Sequence, residues 1–108
     1  MTPGCARSLE RVRSRLQGKV LEGADGRYGF AIGTNHFEVV VERGQFRVAD
    51  DLAGKPVVAR IEMDEETFDK VTDAPKQLTI QTLFLTGKIK VDAWTRAVPF
   101  IQAIARHL

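Results

Sequence analysis

The sequence predicts an α+β domain, with strands gathered into an antiparallel sheet and helices packed on one side of it. Three observations carry this expectation. Apolar and polar residues alternate from Arg27 to Ala49, the first and last segments repeat apolar residues at helical spacing, and no linker or internal repeat divides the chain. A length of 108 residues suits one domain around one core. Residues 1–108 are therefore read as a single domain, with 1–7 as a flexible lead.

From Ser8 to Leu16, Leu9, Val12 and Leu16 share a helical face among Arg7, Arg11, Arg13 and Arg15. Ser8 is the expected cap and Gly18 the stop. Lys19–Leu21 reads as a short strand and residues 23–26 as a turn. Tyr28, Phe30 and Ile32 then alternate with Arg27, Gly29 and Ala31. After the loop at 33–36, Phe37, Val39 and Val41 alternate with Glu38, Val40 and Glu42. Arg43-Gly44 is a tight turn, beyond which Phe46 and Val48 alternate with Gln45, Arg47 and Ala49. These three runs predict an antiparallel meander with one wet face.

Asp50 to Pro56 is a polar loop, and Val57, Ala59, Ile61 and Met63 mark the next strand. Asp64, Glu65 and Glu66 place negative charge where a helix N-terminus favours it, with Phe68 and Val71 turned inward. Pro75 opens a new segment. Lys76 to Thr86 carries Ile80, Leu83 and Phe84 at helical spacing and ends at Gly87, and Lys88–Val91 is a short strand. Asp92 is the expected cap of a terminal helix with Trp94, Ala97, Val98, Ile101, Ala105 and Leu108 on one stripe. Pro99 is expected to kink that helix or to begin its second part.

The chemistry legible in the sequence is sparse. Sixteen basic and 14 acidic residues leave a net charge of +2, which gives no footprint for nucleic acid. The one cysteine, Cys5, permits no internal disulfide, and no window is apolar enough to span a bilayer. A cytoplasmic setting is expected, with at most transient membrane contact. Gly87-Lys88 fails as a phosphate loop, because Thr82 and Ile89 stand where glycine and Ser/Thr are needed. His36 and His107 have no ligand-type neighbours at metal spacing, and Asp64-Glu65-Glu66 is explained by the helix start. No catalytic residue, metal or cofactor is expected. What remains is apolar side chains on the later helices.

The run VVARIEMD, EETFDKV, PKQLTIQTLFL, TGKIKV, from Val57 to Val91, resembles the sterol-carrier-protein-2 (SCP-2) family, with Gly87-Lys88-Ile89-Lys90-Val91 the sharpest match. FEVVVERGQFRVAD, Phe37 to Asp50, is similar to the family's central hairpin. The sequence departs from the family's pattern at Asp92-Ala93, where a glycine is usual, and at Pro99. The resemblance implies an antiparallel five-stranded sheet covered on one side by helices, with an apolar tunnel between the layers. It also implies a non-catalytic module holding a fatty acyl, sterol-like or isoprenoid-quinone ligand. Mapped onto this chain, the lining is Phe68, Ile80, Leu83, Phe84, Ile89, Trp94, Val98 and Ile101. Lys88 and Lys90, or the arginines of the first helix, would meet an anionic head group. The competing expectation is the same fold with a filled interior, acting in dimerisation or in support of a partner enzyme. An apolar volume of about 300 Å³ would favour the carrier, and a solid core the accessory module.

Overall fold

A computed structural model describes residues 1–49, 56–73 and 77–107, with backbone alone for 77–79 and 81. The chain runs α1 (Pro3–Leu16), β1 (Gly26–Ile32), β2 (Asn35–Glu42), β3 (Gln45–Ala49), β4 (Ala59–Met63), α2 (Glu65–Asp73), α3 (Gln77–Leu85), β5 (Lys90–Val91) and α4 (Trp94–His107). The strands form one sheet in the order β3-β2-β1-β4-β5. It is α+β, as expected, but the sheet is mixed. β1 pairs with β4 in parallel, Phe30 opposite Ile61, whereas every other pair is antiparallel. Alternation reports which face a side chain takes and nothing of strand direction. The parallel pair arises because the chain crosses from β3, at one edge, to the far side of β1.

Register places Phe37 beside Phe30, Val39 beside Tyr28, and Val91 beside Ile61, so the apolar positions of neighbouring strands fall on one face. All four helices cover that face. The β2–β3 connection is the two-residue turn Arg43-Gly44, with φ of 53° and 76°. Positive φ at both central residues is the signature of a type I′ hairpin turn. Arg43 bears the strain of that conformation, and Asp25 holds it there, its carboxylate accepting from Arg43 N–H at 3.1 Å and Gly44 N–H at 3.0 Å. A side chain on Gly44 would also meet Val20 Cγ1 at 2.6 Å.

Three local expectations are corrected. α1 begins at Pro3, not at a Ser8 cap, so residues 3–7 of the expected lead are helical; Cys5 is 1% exposed and Ser8 is buried within the helix. Tertiary bonds anchor this end: Asn35 accepts from Thr2 N–H at 2.8 Å and donates to the Thr2 hydroxyl at 3.2 Å, and that hydroxyl donates to Glu65. Lys19–Leu21 is not a strand. Leu21 N–H donates to Gly44 C=O at 2.9 Å, and the segment is too short to extend a ladder. The outer face of the sheet is not uniformly wet, since Glu38, Val40 and Ala49 are buried and Glu38 pairs there with Arg27. α4 runs from Trp94 to His107 with Pro99 inside it, which leaves the expectation of a kink there and removes that of a separate second helix. The expected polar loop at 50–55, Pro75, Lys76 and Leu108 lie outside the described residues.

Candidate functional site

A cavity of about 100 Å³ lies between the sheet and the helices. Its floor is the inner face of the strands: Phe30 from β1, Phe37 and Val39 from β2, Phe46 from β3, and Ile61 and Met63 from β4. α1 contributes Leu9 and Val12, α2 contributes Phe68, Val71 and Thr72, and α3 contributes Ile80. Ile89, just before β5, and Phe100, Ile101 and Ile104 of α4 complete the wall. Rings dominate one side. Phe37 lies 5.2 Å from Phe30 and 6.1 Å from Phe68, and Phe30 lies 6.2 Å from Phe100, between ring centres. Phe100 also stacks on Tyr28 at 3.9 Å.

The wall is apolar to an unusual degree. Its one polar side chain, Thr72, donates its hydroxyl to Phe68 C=O at 2.8 Å and accepts from Arg11 at 3.1 Å. Every buried side-chain polar atom among the described residues has a partner. No hydrogen-bonding group is left waiting for a ligand, and no titratable side chain lines the space. The perturbed groups stand around it. Burial pushes the Cys5 thiol and the Tyr28 phenol above their ordinary values, and Tyr28 donates to Ala24 C=O at 2.7 Å. At the start of α2, Asp64 accepts from Thr67 N–H at 2.7 Å, which holds its carboxyl below the usual range. Among the described residues no cluster of His, Cys, Asp and Glu could hold a metal. Such a site can shelter an apolar group; its wall offers nothing for acid–base or nucleophilic chemistry.

The structure brings Phe68, Ile80, Ile89 and Ile101 together on the wall and places Leu83, Phe84, Trp94 and Val98 outside it. Phe84 and Trp94 instead stack on each other, 4.1 Å between ring centres. Sequence spacing missed Phe100 and Ile104, because Ala97, Phe100, Ile101 and Ile104 form a second helical stripe as regular as the expected one. It also left out the two residues from α1. The strand residues were legible as an inner face, but nothing in their alternation said that this face bordered a hollow.

A second hollow of about 420 Å³, more polar, lies between α1 and β3. Glu10, Arg13 and Ser14 line it from the helix, Gln17 from the turn after it, and Gln45 and Arg47 from the strand. Phe46 belongs to both spaces.

Neither protein-family models nor curated protein sequences match this chain. Solved structures do. Sterol carrier protein 2 from Yarrowia lipolytica, in its apo form, superposes with a TM-score of 0.65 over 99% of this chain and 95% of that one, at 14% identity. This is the SCP-2 fold. A palmitated SCP2-like domain from Aedes aegypti matches with a TM-score of 0.63 at 12% identity, covering 96% of this chain and 95% of that one. A ubiquinone synthesis protein, UbiJ-SCP2, matches with a TM-score of 0.63 at 15% identity, covering 99% of this chain and 83% of that one. The SCP-2 resemblance read from Val57 to Val91 thus holds for the fold of nearly the whole chain. No helix of the described residues is long and apolar enough to cross a membrane.

Proposed function

We propose that this chain is a non-catalytic lipid-binding module that holds the apolar part of a fatty acyl, sterol-like or isoprenoid-quinone ligand between its sheet and helices and works in the cytoplasm. The observation that carries this reading is the cavity whose wall is all but free of polar groups. Apolar surface leaving water gains about 25 cal/mol per Å², so a hydrocarbon chain binds such a wall with few directed contacts. Phe68, Ile80, Ile89 and Ile101 are the sequence-expected contacts assigned to the ligand, and Phe30, Phe37 and Phe100 join them. Leu83, Phe84, Trp94 and Val98 would reach a guest only in a wider hollow between α3 and α4. The SCP-2 fold of a palmitated neighbour supports the same reading.

One observation favours a second reading. The space is smaller than the roughly 150 Å³ of an engineered cavity that admits benzene and well under the roughly 300 Å³ typical of ligand pockets. A nearly filled SCP-2 fold suits an accessory module that dimerises or supports a partner enzyme, and one neighbour is named for ubiquinone synthesis. Native mass spectrometry of the protein purified from cells, followed by delipidation and titration with hexadecanoate, a sterol and a quinone, separates the two. Co-purified lipid and saturable binding are expected. Repeated failure of all three lipid classes to bind the delipidated protein would leave the accessory role.

A further inference from the structure

We infer that Phe84 and Trp94 form a gate between α3 and α4 that closes the apolar cavity, and that α3 swings about Gly87 to admit the ligand. The inference deepens the lipid-binding reading and rests on it. Spacing supplies the first step. Ile80 and Phe84 stand one turn apart on α3, and Trp94, Val98 and Ile101 share a stripe of α4. Ile80 and Ile101 belong to the cavity wall, whereas Phe84 and Trp94 stack on each other with ring centres 4.1 Å apart. The seam between the two helices therefore runs from the cavity to the ring pair, about 6 Å along α3. Phe84 and Trp94 are half-buried, so that end of the seam meets solvent. A cavity of about 100 Å³ is too small for a whole lipid, which enters only where the wall parts.

Packing supplies the second step, because the four helices are not held alike. Arg11 donates to Asp69 C=O at 3.2 Å and Arg15 to Thr72 C=O at 2.6 Å, which fastens α1 to α2. Both of those helices also bury side chains of their own. α4 is held to the sheet by Phe100, stacked on Tyr28 at 3.9 Å, and by the buried Ala97 and Ala103. None of the described side chains of α3 is buried, and Leu85 is 81% exposed. Segments with few buried apolar groups open at the lowest local cost. No residue from Gln77 to Leu85 carries a charge, so turning α3 strands no ion in an apolar space. Gly87 supplies the pivot. Its φ is 78°, and apart from its chain neighbours no atom of the described residues lies within 4 Å of where its Cβ would stand. Beyond the pivot the chain is fixed again, by Ile89 in the wall and by Lys90 opposite Glu62 in the sheet. The ring pair is thus the latch on the wall's least buried helix.

The test is stopped-flow uptake of hexadecanoate by the delipidated full chain, with calorimetry for equilibrium binding. Phe84→Leu keeps an apolar side chain but removes the stacked ring, and such a pair is worth roughly two- to tenfold in the ratio of closed to open. Uptake by this variant is expected to speed up by that factor, because its rate follows the open fraction. A second variant, Phe84→Cys with Trp94→Cys, is bridged by a short bifunctional thiol reagent, from which burial shields Cys5. The bridged protein is expected to lose the uptake that the same variant shows unbridged. An unchanged circular dichroism spectrum is the folding control for both. A native rate in Phe84→Leu, or equal rates with and without the bridge, overturns the gate while the cavity reading stands. If calorimetry detects no hexadecanoate binding to the native protein, both fall together.

Discussion

Asp64 sits one residue before α2 and caps it, its carboxylate accepting the Thr67 amide. The bond favours the charged form, so the folded carboxyl titrates below the ordinary value of about 3.9. The stability it contributes is present above that ordinary value and is lost as pH falls through the depressed one. Asp64→Ala is expected to lower stability at neutral pH by about 1 kcal/mol, measured by urea unfolding. Asp64→Asn should keep the cap, because the amide oxygen still accepts, and should flatten the acid limb of the stability curve. An Asn variant that retains the full acid dependence would show that Asp64 is not its source. The acidic start of α2 was legible in sequence because carboxylates before a helical apolar pattern are a local device, whereas the bond from Thr67 to Asp64 was not named there. The N-terminal start of α1 was not legible, since Thr2 is held by Asn35 and Glu65, far along the chain.

Among the elements, the hairpin of β1 and β2 carries the Arg27–Glu38 pair on a face expected to be wet, with side chains 11% and 8% exposed. Removing one partner of a nearly buried pair strands the other charge without water or counterion. Glu38→Ala is expected to cost about 3–5 kcal/mol in chemical denaturation, more than the joint replacement of Arg27 and Glu38 by apolar residues of similar size. A joint loss equal to the sum of the two single losses would show that the pair is not coupled. The alternation of β2 correctly named Phe37, Val39 and Val41 as the inner side, yet it classed Glu38 as solvated, because burial of the second face depends on what the chain lays over the sheet. For α3 the difficulty is different. QLTIQTLFL is apolar over much of its circumference, so spacing alone does not say that Ile80 turns to the cavity while Phe84 meets Trp94.

At the scale of the molecule, the unfilled space sets stability against function. A gap between packed layers forfeits contacts that its lining side chains would otherwise make, and so lowers stability. Filling it should therefore stabilise the fold and exclude the guest. Val71→Phe, which enlarges a half-buried wall residue of α2, is expected to raise stability by about 0.5–2 kcal/mol by thermal unfolding. The same variant should lose hexadecanoate binding. Unchanged binding in a stabilised Val71→Phe protein would place the ligand elsewhere and favour the accessory reading.

The sequence by itself determined the α+β class, the inner face of the meander, the acidic start of α2, and the SCP-2 resemblance that the superposed structures bear out as a fold. These rest on short-range periodicity and on caps and turns a few residues long. Only the tertiary structure decided the parallel pairing of β1 with β4, the inward stripe of α4, the engagement of Arg11 and Arg15 with α2, and the size of the hollow. Each of those depends on how separate segments meet, and a gap between packed layers is a difference of large volumes that no single segment encodes.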